Sequence, residues 1–590
     1  MLKHHWKRFK IATSERFKPA LLTCFKEGYS TKTLTADLIA GLIVAAVALP
    51  LAIAFSIAAG LSPQAGLITA VVAGFLISAC GGCRVQIGGP TGAFIVIIYG
   101  IVMQFGTGGL MIATIMAGAI LIILGLCGLG SIIKYIPYPV TVGFTSGIAL
   151  IIFTGQIETL LGLNCTPALA QLGFEKMPGE FIEKIDVYIH SIKTINWYTL
   201  ALSLITILIC VYWKKVTQKV PGSIIAILVT TIGVCVGKAC GWEAMHQVTT
   251  IGSKFPDVAQ GVAFALPSFD FSNVDIRALV SPAISIALLA GIESLLSAVV
   301  ADGMTGKRHH SNTELIGEGI ANIASPLLGG IPATGAIART ATNIKNGGQT
   351  PMAGIFHALF LLIIMLFLGK YAAMIPMATL GGIVAVVAYN MSELHLVKGM
   401  FKSTRSDVLV MLTSFLLTVL IDLTVAIQAG VLLAAFLFIR RMSESTEARN
   451  VTRALSGDFH PTGPRADDLN QLDIAIPKGV EIFEIYGALF FGAADKFKDT
   501  VLSQRRRPKI LILRMRHVLV LDATALHSLE EVYSHTKNKG VTLILSGVAA
   551  QPLMLMARSG FLDKIGQENV HGHIVDALKR SHEVLELPLP

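Results

Sequence analysis

From Leu38 to Ala59 the chain carries no charged side chain. A helix rises about 1.5 Å per residue, so such a run reaches across the roughly 30 Å hydrocarbon core of a bilayer. Inside lipid every backbone N–H and C=O must find its partner within the segment, which leaves a helix as the fold. The pattern recurs. Apolar runs near 63–79, 110–128, 140–156, 198–213, 224–236, 280–301, 315–328, 352–368, 372–389, 408–420 and 423–438 alternate with short polar turns. With 53% hydrophobic and only 14% charged residues, the chain reads as an α-helical polytopic membrane protein. The lipid bilayer is its first partner.

The net charge of +10 does not point to nucleic acid, because Lys and Arg sit in short turns between apolar runs rather than on one face or tail. Lys134, Lys214, Lys215, Lys219, Lys307, Arg308, Lys398, Lys402, Arg405, Arg440 and Arg441 mark the cytosolic side by the positive-inside rule. Two long loops, 157–196 and 237–277, balance acid against base and are expected outside. The N-terminal segment 1–36 is basic and has no short apolar core with a cleavage site, so no signal peptide is visible. Both termini are predicted in the cytosol and the protein in the cell inner (plasma) membrane. Cys80 and Cys83 have no second Cys/His pair to complete a zinc site, and no metal or cofactor is expected.

Two runs are interrupted in the same way. Gly88-Gly89-Pro90-Thr91-Gly92-Ala93-Phe94 and Ile331-Pro332-Ala333-Thr334-Gly335-Ala336-Ile337-Ala338-Arg339-Thr340 each place an extended Gly/Pro-rich lead-in before Thr-Gly-Ala and a short helical stretch. Pro90 reads as the first residue of one helix and Thr334 as the start of the other. Helix N-termini inside a membrane expose unpaired N–H groups and roughly half a positive charge each, which attracts anions. Pro50 kinks the first span nearby and frees backbone carbonyls close to Phe55.

Glu293 lies near the middle of the run 280–301, where an ionised carboxylate costs roughly 2.5–3.5 kcal/mol on insertion scales. It therefore either faces a cavity or stays neutral against a neighbouring helix. Ser297, four residues on, shares its helical face. Arg339 compensates an anion, pairs with Glu293 or snorkels to the nearby cytosolic surface.

Counting the two broken segments gives about fourteen crossings, with the breaks third and tenth in two halves of about seven. An odd number of spans per half inverts the second half relative to the first. Inverted repeats with broken helices at the midplane are the plan of secondary transporters. The transport region is read as 37–441. Residues 442–473 read as a polar linker, and 474–590 as a small α/β domain, with Val480–Ile485, Ala488–Phe491, Ile510–Met515 and Val541–Ser546 as strands. That domain has no phosphate loop, metal set or nucleophile elbow, and the chain is not expected to be an enzyme.

The chain resembles the SulP (sulfate permease) family over nearly its whole length. The resemblance rests on Gly89-Pro90-Thr91-Gly92-Ala93-Phe94, Ile292-Glu293-Ser294-Leu295-Leu296, Val300-Ala301-Asp302-Gly303-Met304-Thr305, Thr334-Gly335-Ala336 with Ala338-Arg339-Thr340-Ala341-Thr342-Asn343, and Asn390-Met391-Ser392-Glu393. The tail is similar to the STAS domain at Val520-Leu521-Asp522-Ala523-Thr524-Ala525-Leu526. The resemblance implies a 7+7 inverted repeat with about fourteen membrane segments, a homodimer, and an elevator-like movement of one subdomain. It also implies a substrate site formed by Phe55, Thr91, Gly92, Ala93, Gly335, Ala336 and Ile337, to which the residues themselves add Thr334 and Arg339. Glu293 and Ser297 match the coupling-cation position of bicarbonate-transporting members, where an Asp is found, and the Glu points to proton rather than sodium coupling.

Many members carry Pro-Gln-Gly where this chain has Pro50-Leu51-Ala52, in which it is similar to a bacterial branch with a C4-dicarboxylate transporter. The expected substrate is a small anion: sulfate, bicarbonate or a C4-dicarboxylate. An uncoupled channel or an exchanger is the alternative within transport, and a signalling protein acting through the tail the alternative outside it. Asp522 and Thr524 are candidate regulatory residues, with Thr524 either a phosphorylation switch or an ordinary helix-start residue, and a cytosolic protein is a possible partner of the tail domain.

Overall fold

The computed structural model describes residues 18–131, 136–217, 221–256, 275–421, 423–455, 476–502 and 508–588. Lys134, Lys219 and part of the second long loop, 257–274, lie outside the described residues. The chain divides into two compact units, Met1–Val431 and Leu432–Pro590.

In the first unit the helices are α1 (Thr31–Ala58), α2 (Pro63–Cys80), α3 (Phe94–Leu126), α4 (Tyr138–Gly155), α5 (Trp197–Val216), α6 (Gly222–Ala239), α7 (Val280–Thr305), α8 (Ser311–Leu327), α9 (Ile337–Lys345), α10 (Met352–Ala372), α11 (Met377–Met391) and α12 (Arg405–Leu420). A further helix, α13 (Leu423–Ser445), crosses the boundary between the units. Among the described residues eight helices are long and apolar enough to cross a membrane unaided. Gly106, with φ +68° and ψ −173°, breaks α3 into two segments. Adding that break and α5, α8, α9, α10 and α12 to those eight brings the described membrane segments to fourteen, with the interrupted ones third and tenth.

Packing sorts these helices into two groups that draw on both halves of the sequence. Helix α8 packs on α3 and α2, α10 on α1 and α2, and α7 on α3 and α9. Separately α12 packs on α4, and α11 on α5 and α4. Small residues permit the closest crossings: a Cβ added at Gly118 of α3 would lie 2.6 Å from the Gly319 carbonyl oxygen of α8. Without a hydrophobic drive between helices in lipid, such close backbone approach supplies the packing.

In the second unit five strands, β3 (Glu447–Asn450), β4 (Val480–Tyr486), β5 (Ile510–His517), β6 (Thr542–Ser546) and β7 (Val570–His571), form one sheet in sequence order. The first pair is antiparallel and the rest parallel. Strand β5, Ile-Leu-Ile-Leu-Arg-Met in its buried part, is an apolar run covered on both faces, as parallel strands require. Two expectations need correction. Glu447–Asn450, within the stretch read as linker, is an edge strand, while 456–475 lies outside the described residues. Ala488–Phe491 is not a strand: Leu489 makes one isolated bridge with Leu521, and a helix starts at Phe491.

Candidate functional site

The two interrupted segments meet. β1 (Gly88–Gly89) and β2 (Thr334–Gly335) pair antiparallel, Gly88 opposite Gly335 and Gly89 opposite Thr334. The Ala336 N–H extends the ladder by donating to the Ile87 carbonyl at 2.9 Å. Each lead-in thus satisfies backbone groups of the other where no water reaches, and the antiparallel sense is what inverted halves produce. Glycine is required at Gly89, which has φ +146° and lies against the Arg339 guanidinium.

Both helices begin later than their sequences predict. The third segment becomes helical at Phe94 rather than at Pro90, and the tenth at Ile337 rather than at Thr334. The reason is the strand pair, which holds Gly88–Gly89 and Thr334–Gly335 extended. Pro90 is left with a carbonyl that faces Arg339.

Thr91 Oγ1 donates to Glu293 Oε2 at 2.8 Å. Arg339, 2% exposed, donates from Nη2 to the Pro90 carbonyl, and its Nη1 has no hydrogen-bond partner among the described residues. The guanidinium therefore does not snorkel. Nor does it form an ion pair with Glu293; both side chains converge on the consecutive residues Pro90 and Thr91. Phe55, 4% exposed, stands across from Gly92: a Cβ built there would lie 3.6 Å from the Phe55 ring and 3.6 Å from Ile152. Ile152 in turn lines a cavity of about 950 Å³, along with Ala54, Ile95 and Tyr99.

The remaining expected residues divide. Ala93 and Ala336 are buried, whereas Ile337 is 41% exposed. The Thr334 hydroxyl is committed to α7, donating to the Ala290 carbonyl at 2.9 Å. Ser297 shares a helix with Glu293 but not its hydrogen bonds: its hydroxyl donates to Thr340 Oγ1 at 3.1 Å, and Thr340 also accepts from the Ile87 N–H at 3.1 Å. In the second unit Asp522 caps the helix α14 (Ala523–Asn538), accepting from the Ala525 N–H at 2.8 Å and the Phe491 N–H at 3.0 Å. Thr524 is exposed in that helix's first turn.

Sequence reasoning missed Gln86, Ser294, Thr340 and Asn343. Gln86 Nε2 donates to Ser294 Oγ at 2.6 Å, and Asn343 Nδ2 donates to the Val85 carbonyl at 2.9 Å. The available signal was the same for each, a polar side chain in a segment at membrane depth.

These features define a polytopic membrane protein of two inverted halves joined at paired half-helices, followed by a small α/β domain. The sulfate permease family pattern matches residues 34–414, and the STAS domain pattern residues 471–577. YvdB of Bacillus subtilis is 40% identical over 93% of this chain and 98% of its own length. The bicarbonate transporter BicA of Picosynechococcus sp. is 31% identical over 78% of this chain and 80% of its own. The solved structure of SLC26A9 superposes with a TM-score of 0.82 at 19% identity, covering 98% of this chain and 95% of that one, and shows the fold. The chain belongs to the sulfate permease family, with a C-terminal STAS domain.

Proposed function

We propose that this protein is a secondary active transporter of small anions, coupled to protons through Glu293. The observation that carries the reading is the convergence of two helix N-termini and the buried Arg339 on the Pro90–Thr91 turn, with one guanidinium nitrogen unpartnered. Two helix dipoles and one cation supply positive potential where lipid excludes water, which is the requirement for holding an anion at the midplane. Phe55, Thr91, Gly92, Ala93, Gly335, Ala336 and Arg339 surround the substrate in this reading. Thr334 shapes the backbone rather than offering its hydroxyl, and Ile337 lies at the margin.

Glu293 accepts a hydrogen bond from Thr91, so its protonation state bears directly on the half-helix that holds the anion. Ser297 positions Thr340 and with it the strand pair. The helix group containing α1, α2, α3, α7, α8, α9 and α10 moves as a body in an elevator-type cycle, and the protein works as a homodimer in the cell inner membrane with both termini cytosolic. Sulfate and bicarbonate are supported as substrate classes by the family's description and by BicA. A C4-dicarboxylate rests on the Pro50-Leu51-Ala52 variation and on the Glu293-Ser294-Leu295-Leu296 and Asn390-Met391-Ser392-Glu393 stretches.

Counterflow into proteoliposomes tests this, with labelled sulfate, bicarbonate, succinate, fumarate and aspartate at two pH values, with and without sodium. Saturable uptake of one class, faster with an inward proton gradient and indifferent to sodium, is expected. Sodium-stimulated, pH-independent uptake overturns proton coupling, and voltage-driven anion current with no ion requirement makes the protein a channel.

A further inference from the structure

Helix α8 turns a line of polar residues inward: Glu314, Glu318, Asn322 and Ser325 recur at helical spacing and none is exposed. The last two are satisfied. Asn322 exchanges hydrogen bonds with both the N–H and the carbonyl of Ala333, each at 2.9 Å, and Ser325 donates to the Ile331 carbonyl at 2.9 Å. The first two are not. Glu314 Oε2 accepts from the Gly82 and Cys83 N–H groups, both at 2.7 Å, but its Oε1 has no hydrogen-bond partner among the described residues. Neither oxygen of Glu318 has one, and neither does Gln86 Oε1.

This cluster contains acceptors and almost no donors. Gln86 spends its amide N–H on Ser294, the Ser294 hydroxyl borders both carboxyl groups, and the Asn322 amide beside Glu318 is already given to the Glu318 and Ala333 carbonyls. No cation is at hand. Glu293 of α7 is the nearest further charged group on that helix, Cys80 is the only ionisable side chain of α2 and Tyr99 of α3, and Arg339 is turned to Pro90. Among the described residues no group of three or more His, Cys, Asp or Glu is arranged to hold a metal ion. With two carboxylates four residues apart on one helix face, out of water and without a counter-ion, Glu314 is eased by its two N–H bonds, whereas an ionised Glu318 would bear the full cost of a desolvated charge.

We propose that Glu318 holds a proton and shares it with Glu314, making a protonation site behind the paired half-helices and distinct from Glu293. One proton converts Glu318 from two orphaned acceptors into a donor, with Glu314 Oε1 as the waiting acceptor. Glu314 is the ionised member, because two backbone N–H groups of the Gly82–Cys83 turn hold its other oxygen. One proton between two close carboxyl groups is the stable arrangement of such a pair. The site reaches the transport machinery through adjacent residues: Glu293 faces Thr91, while Ser294 faces the pair. If the transport reading above is right, the transporter has a second proton-holding group beside its coupling residue.

The test requires no transport. The purified full-length protein in lipid nanodiscs is examined by pH-difference infrared spectroscopy in H₂O and D₂O. A deuterium-sensitive carbonyl band of a buried protonated carboxyl is expected in the wild type and in Glu293→Gln, and not in Glu318→Gln. Glu318→Gln keeps a neutral donor in place, so its thermal midpoint is expected to match the wild type. Persistence of the band in Glu318→Gln overturns the proposal. So does unfolding of Glu318→Gln while Glu293→Gln stays folded, which would mean that the ionised form is native, or a sodium-induced rise in thermal midpoint that Glu318→Gln abolishes, which would mean a metal cation in place of the proton.

Discussion

The third and tenth membrane segments are alike in backbone and unlike in chemistry. Both set a Gly/Pro-rich lead-in before a Thr-Gly-Ala motif and then turn helical, and Gly88–Gly89 of the third pairs with Thr334–Gly335 of the tenth at β1–β2. The tenth carries a buried cation two residues into its helix, Arg339, whereas the third carries none and offers a carbonyl and a hydroxyl, those of Pro90 and Thr91. Inverted duplication explains the shared backbone, because two half-helices that face each other can satisfy one another's lead-ins. The chemical difference gives the pair a polarity: one side supplies charge, the other links that charge to Glu293.

The largest expected effect breaks this division. Arg339→Ala should weaken anion binding by roughly two orders of magnitude, the scale on which deleting one partner of a buried charge contact acts, ~3 kcal/mol. Unchanged binding in titration calorimetry would show that the two segments contribute equally. Next, the glycines of the two motifs should differ. A Cβ at Gly335 would overlap the Gln86 carboxamide, whereas one at Gly92 finds ordinary contacts of 3.6 Å. Gly335→Ala is therefore expected to lose about 1–3 kcal/mol of stability to overpacking, and Gly92→Ala to keep the wild-type thermal midpoint.

Glu293→Gln sharpens the comparison from the third segment's side. Its amide can still meet Thr91, so exchange of labelled anion should continue, while the rise of uptake with falling pH expected of the wild type should vanish. Parallel uptake and pH-jump measurements on both proteins check this. The smallest effect is expected from Ser297→Ala, which removes one hydrogen bond to Thr340 and costs about 1 kcal/mol. Its pH dependence should match the wild type. A changed one would return Ser297 to the coupling role that family resemblance assigns.

Much of this was legible in the chain itself. Apolar runs and basic turns lay out the membrane segments, and the repeated Thr-Gly-Ala motif marks the two breaks, because lipid punishes any other arrangement of backbone polar groups. The helix starts were not legible. Pro90 is a good first helical residue by local preference, but Gly88 and Gly89 just before it pair with a segment far away in sequence, and the helix starts only at Phe94. Side-chain direction was also hidden: Glu293, Ser294 and Ser297 lie within five residues, yet they face Thr91, Gln86 and Thr340 respectively. Glu318 reads from the sequence as part of a span and Glu314 as the residue just before it, and only the packing of α8 against α2 and α3 leaves Glu318 and one oxygen of Glu314 without partners among the described residues.

The most direct test of the central claim is isothermal titration of sulfate, bicarbonate and succinate into the purified protein, comparing the wild type with Arg339→Gln and Glu293→Gln. Saturable binding of at least one anion is expected for the wild type and for Glu293→Gln, with its loss in Arg339→Gln and the thermal midpoint retained. Wild-type affinity in a folded Arg339→Gln would contradict the claim.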